Sequence, residues 1–125
     1  MLFAKPILYI RVFHDRIDIR NVKTNKEVCY TVTQEYSNKK TLIENFRIFE
    51  QELKKAIALI QPKKRINRSL IILFQPISES VTNYSESEKN GFRDTCVQVG
   101  AAKYYLLRGK DKLTNQTILE GMNNF

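Results

Sequence analysis

The sequence predicts an α/β fold: residues 1–125 as a single domain on one five-stranded mixed sheet, in the order β-β-β-α-β-α-β-α. Three observations carry this reading. Residues 6–32 hold three short segments rich in strand formers, separated by turn residues. From residue 41 the spacing of apolar side chains becomes helical and stays so to residue 61. Residues 69–74 then form an unbroken apolar run, which suits a central strand covered on both faces, as in parallel sheets.

The elements follow in order. Residues 6–13 carry Ile7, Leu8, Ile10, Val12 and Phe13 and read as the first strand. His14, Asp15 and Arg16 make a hairpin turn. Residues 17–22 alternate apolar with polar, the mark of a strand with one buried face. Residues 23–26 supply a second turn, in which Asn25 tolerates a left-handed backbone. Residues 27–32 form the third strand. Lys, Thr and Asn crowd the ends of these strands, as expected where edge pairing is discouraged.

Residues 33–40 read as a loop. In the helix over 41–61, Leu42, Phe46, Phe49, Leu53, Ile57 and Ile60 make one apolar stripe, Glu50 and Lys54 pair on a more exposed face, and Pro62 ends the run. The strand over 69–74 stops at Gln75 and Pro76. Residues 85–88 offer caps and acids for a second helix, whose buried side is Phe92, Cys96 and Val99 and whose stop is Gly100. Gly91 weakens that helical pattern. Residues 103–107 form the last strand, with Tyr104 and Tyr105 alternating between core and surface. Leu113, Ile118, Leu119 and Met122 mark a short final helix. The long helix takes the third strand to a parallel fourth, as a right-handed crossover requires.

Composition limits the function classes. With 42% hydrophobic and 27% charged residues the chain is an ordinary folded protein with no bilayer-spanning apolar run. The N-terminal residues lead straight into a strand pattern, so a cytoplasmic protein without a signal peptide is expected. Cys29 and Cys96 are expected to be reduced and buried. One histidine and no close cysteine pair leave no metal site, and no cofactor or small-molecule substrate is implied. No G-x-S-x-G occurs, neither cysteine has a histidine nearby in sequence, and His14 is expected to be a solvated turn residue.

Lys and Arg number 21 against 13 Asp and Glu, giving a net charge of +8 that favours anionic partners. The densest positive cluster is Lys63, Lys64, Arg65 and Arg68, a candidate anion or nucleic-acid contact, with six tyrosines as available stacking surfaces. The plainer alternative is a solvated helix–strand loop.

The element order, together with Val97-Gln98-Val99-Gly100-Ala101-Ala102-Lys103-Tyr104-Tyr105-Leu106-Leu107, resembles the ribonuclease-H-like half-domain of the MreB-like bacterial actins. Locally, Leu8-Tyr9-Ile10-Arg11-Val12, Ile17-Asp18-Ile19-Arg20-Asn21-Val22 and residues 37–46 resemble the small YjaA-type proteins of enteric bacteria. Those have no established biochemical activity, so that likeness implies a fold more than a function. In actin-like ATPases the opening hairpin holds phosphate through an Asp and glycines. Here it reads Tyr9-Ile10-Arg11-Val12-Phe13-His14-Asp15-Arg16, with arginine and phenylalanine where acid and glycine are wanted. A ribonuclease-H-like nuclease needs clustered carboxylates, and Asp15 and Asp18 have no evident partners.

The expectation is therefore a non-enzymatic protein, a degenerate actin-like half-domain that acts by contact with another protein or with itself. A filament-forming actin homologue is one candidate partner; a toxin is another, disfavoured by the basic charge. The alternative is weak, non-sequence-specific nucleic-acid binding through Lys63 to Arg68.

Overall fold

A computed structural model of the chain describes residues 5–38, 40–61, 69–78 and 83–122. Its elements are β1 (Ile7–Val12), β2 (Arg16–Asn21), β3 (Glu27–Thr31), α1 (Phe46–Ala58), β4 (Leu70–Pro76), α2 (Glu86–Gln98), β5 (Ala101–Leu106) and α3 (Asn115–Met122). The five strands form one sheet in the order β3-β2-β1-β4-β5. β1–β2 and β2–β3 are antiparallel, while β4 runs parallel to both its neighbours, β1 and β5. The α/β class and the mixed sheet are as the sequence implies. The neighbour of the fourth strand is the first strand, however, and not the third from which the crossover starts.

Two turns behave as their residues require. Asn25 adopts a positive φ of 62°, and Gly100, just past the end of α2, has φ 115°. α1 is shorter than its apolar stripe. Asn45 takes an extended conformation and its side chain accepts from the Ile48 N–H, which starts the helix there. Leu42 and Ile43 are still buried, but on the loop that leads in. β4 continues through Gln75 to Pro76, whose missing N–H is harmless at the last strand position.

One sheet face carries Leu8, Ile10, Val12, Ile17, Ile19, Ile72 and Phe74, packed against Phe49, Leu53 and Ile57 of α1 and Phe92 and Cys96 of α2. The other face carries Ile7, Tyr9, Val22 and Leu73 under Ile118 of α3. Each fully buried large apolar side chain contributes ~1.5–3 kcal/mol of transfer free energy. β4 is apolar without alternation because helices lie over both its faces.

Gly91, an unexpected residue within α2, sits beneath the ring of Phe46 at the start of α1. A Cβ there would lie 2.3 Å from Phe46 Cζ, so only glycine allows this approach of the two helices. Glu50 and Lys54 form the expected i,i+4 pair at 3.1 Å. Among the described residues no helix is long and apolar enough to cross a membrane.

Candidate functional site at the carboxyl edge of the sheet

β1, β3, β4 and β5 all point the same way, so their carboxyl ends and the β1–β2 turn share one edge of the sheet. Open α/β sheets place their ligands outside such an edge. The turn is tight: Phe13 N–H donates to Arg16 O at 2.9 Å. Loop 32–45 packs over it. Tyr36, buried, donates its hydroxyl to Phe13 O at 2.6 Å, and burial together with the charge of Asp15 raises its pKa.

His14 is half-buried here, which corrects the expectation of a solvated turn residue. Its Nδ1 bonds the Ser37 hydroxyl and its Nε2 lies 3.3 Å from Ser78 Oγ. Ser37 in turn is within donating distance of Thr41 O, at 3.1 Å. If its proton goes there, Ser37 accepts from His14 Nδ1–H, and the Nε2 lone pair faces Ser78. Ser78 is 1% exposed, so this His–Ser contact bridges two loops and offers no reachable nucleophile.

Beside His14, the Phe13 ring packs against two guanidiniums, that of Arg16 at 3.7 Å from the ring centroid and that of Arg11 at 5.2 Å. Arg11 also donates to Gln75 Oε1 at 3.1 Å and to Lys110 O at 2.6 Å, and Arg16 pairs with Asp18 at 3.3 Å. Asp18 therefore has a partner, which the spacing of residues had not revealed. The turn presents cations and an aromatic ring where a phosphate site needs open backbone N–H groups. Among the described residues no group of three His, Cys, Asp or Glu is placed to hold a metal ion.

A cleft of about 250 Å³ adjoins this edge, lined in part by Pro76, Tyr84, Lys89, Leu106, Arg108 and Lys110. It is smaller than the ~300–1,000 Å³ usual for small-molecule pockets. Lys89 is paired with Glu86 at 3.1 Å. The nearby N-terminus of α2 is closed by its own capping box, in which Glu88 N–H donates to Ser85 Oγ and Ser85 N–H to Glu88 Oε1. The amides of Ser85 and Glu88 are thus engaged, and Glu86 and Glu88 repel an anion.

Lys63, Lys64, Arg65 and Arg68 lie outside the described residues. The cysteines are both free. Cys96 is buried as expected, whereas Cys29 is exposed on β3, a correction that follows from its place on an edge strand facing away from α1. The sequence reading missed Gln75. The available signal is a polar residue that directly follows an apolar run, a pattern that also marks a strand's end; here β4 continues through it and buries it.

No protein-family model matches the chain, and no curated protein matches it. Among solved structures it is similar to MreB5 of Spiroplasma citri bound to AMPPNP, at 11% identity and a TM-score of 0.60, over 84% of this chain and 39% of that one. The same protein bound to ADP gives 12% identity and a TM-score of 0.55, over 84% and 38%. The chain spans about two fifths of those proteins, and at such identities the likeness concerns the fold alone. That fold is the actin-like α/β fold of MreB.

Proposed function

We propose that this chain is a non-enzymatic binding module, an actin-like half-domain that acts by contact with another protein or with a copy of itself. The observation that carries the reading is the plugged β1–β2 turn. His14 bridges Ser37 and Ser78, and Phe13 is covered by Arg11 and Arg16, in the hairpin that holds phosphate in actin-like ATPases. The two similar structures hold AMPPNP and ADP in proteins more than twice as long. Kinship with the YjaA-type proteins belongs to the same proposal and rests on the local strings alone. So does a cytoplasmic setting, which suits two free thiols, one of them exposed.

The test is a titration of the purified chain with MgATP, followed by calorimetry and phosphate release. Neither binding at millimolar nucleotide nor turnover is expected; saturable binding with hydrolysis overturns the reading. A partner recovered from host lysate at physiological salt should survive nuclease treatment.

The second reading, phosphate contact with nucleic acid, is favoured by one observation. Arg11, Arg16 and Arg20 share one face of the β1–β2 hairpin in a chain of net charge +8. Arg16 is paired to Asp18 and Arg20 is buried against Asn115, so Arg11 and Arg16 are the cations nearest the surface there. With six or more phosphate contacts, including the loop Lys63 to Arg68, affinity falls ~10³-fold or more between ~50 and ~200 mM salt. Reversing the charge of Lys63, Lys64 and Arg65 removes this activity and leaves protein contact intact.

A further inference from the structure

We propose that two copies of this chain pair through the free edge of β3, antiparallel about a two-fold axis at Cys29, joining their sheets. The inference rests on the binding-module reading and names its partner as a second copy.

The register decides which backbone groups are free. Asn21 N–H donates to Lys26 O at 2.8 Å and Val32 N–H to Asp15 O at 3.1 Å, in line with the Arg16↔Thr31 to Arg20↔Glu27 pairing. An antiparallel ladder bonds alternate residues, so Lys26, Val28, Tyr30 and Val32 face β2. Glu27, Cys29 and Thr31 therefore direct their N–H and C=O groups away from the sheet, and all three residues are exposed.

Edge strands are normally guarded by lysine, proline, a bulge or an inward charge. β3 reads Glu27-Val28-Cys29-Tyr30-Thr31, with no Lys or Pro, and it meets β2 without a register shift. Lys23 and Lys26 stand in the turn before it. The strand is regular, and its one charged residue, Glu27, is engaged by Lys112, so the lysines that guard its end stand outside the paired length.

Its residues are also self-complementary. About Cys29, Glu27 meets Thr31 of the second copy, whose hydroxyl can donate to the carboxylate, and Cys29 meets its own copy. About six backbone hydrogen bonds result. On the opposite face Val28 meets Tyr30 twice, and aromatic–β-branched cross-strand pairs are favourable. Both side chains already lie at the margin of the main core, which the pairing extends. No like charges face each other: Glu27 is the sole charged residue in the strand and is paired with Lys112 at 2.8 Å. Two chains of +8 repel at long range, so added salt strengthens this association and weakens any nucleic-acid contact.

The experiment is sedimentation equilibrium of the full chain from ~10 to ~500 µM, at ~50 and ~300 mM NaCl, with a short bismaleimide as cross-linker. The expected result is a dimer favoured by salt and cross-linked through Cys29, the exposed thiol. Cys29→Ser keeps the dimer and abolishes the cross-link. Thr31→Pro removes an outward N–H that β2 does not use, and Cys29→Lys sets two ammonium groups face to face. Each should weaken association ~10-fold or more while the circular dichroism stays unchanged. A monomer throughout, or a dimer indifferent to both substitutions, overturns the proposal. A monomer that still captures a host protein, and loses it on Thr31→Pro, overturns self-pairing and leaves the binding module standing.

Discussion

The carboxylate of Glu52 accepts the backbone N–H of Thr33 at 2.6 Å, tying the buried face of α1 to the chain as it leaves β3. Glu52 is fully buried. It also accepts from the Tyr30 hydroxyl at 3.0 Å, from Gln34 N–H at 3.3 Å and from Lys55 at 3.1 Å. Burial alone would raise its pKa. The bonds from Thr33, Lys55, Tyr30 and Gln34 together outweigh it, and the group is held down to about 2 against an ordinary 4.5. A carboxyl depressed on folding stabilises the protein above its unfolded pKa, and that stability is lost as pH falls through the folded value. Denaturant melts should therefore weaken from about pH 4.5 towards pH 2. Glu52→Gln should flatten that stretch of the profile and cost ~2–4 kcal/mol at neutral pH, because an amide cannot replace a carboxylate that accepts on both oxygens.

Gly91→Ala is normally a gain inside a helix, by ~1 kcal/mol. Here the new methyl meets the Phe46 ring, so the substitution should destabilise by ~1–3 kcal/mol. Phe46→Leu in the same background should recover part of the loss. A double-mutant cycle measures the coupling, and additivity would show that the ring moves aside freely.

Gln75 straps the segment between β5 and α3 to the sheet. Its Oε1 accepts from Tyr9 and Arg11, and its Nε2 donates to Asp111 O at 3.1 Å and Gly109 O at 3.3 Å. Tyr9 Oη in turn accepts from Leu113 N–H at 3.1 Å. Gln75→Leu should cost ~1–3 kcal/mol by leaving buried polar groups unpaired. Amide exchange at Leu113 should accelerate while that in β1 and β4 changes only with global stability.

Asn25 holds φ 62° in the β2–β3 turn, and its Oδ1 accepts from Asn115 Nδ2 at 2.9 Å. Asn25→Gly should change thermal stability by only a few tenths of a kcal/mol, whereas Asn25→Val should cost ~1–2 kcal/mol through the left-handed backbone. Equal effects of the two would mean that the Asn115 contact, and not the backbone, governs this turn.

Much of the fold was legible residue by residue. Alternation at 17–22 marks a strand with one buried face, and Ile17 and Ile19 are indeed buried. Phe92 and Cys96 line α2 as their spacing requires, and Gly100 follows it with a positive φ. The apolar stripe overran the start of α1 because burial of Leu42 and Ile43 does not need helix, while Asn45 can cap only where the chain lets it. The candidate site was legible in one respect, the arginine and phenylalanine in the first hairpin. His14, Gln75 and Glu52 were not, because each draws its partners from distant segments.

The sequence by itself determined the class, the order of the elements and the turns, since hydrophobic period and local backbone preference act over a few residues. The tertiary structure alone decided that β4 lies beside β1, that Glu52 and Gln75 are buried and bonded, and that β3 is left with an open edge. These depend on contacts such as Tyr9 with Gln75 and Arg20 with Asn115, which only sheet order and packing bring together.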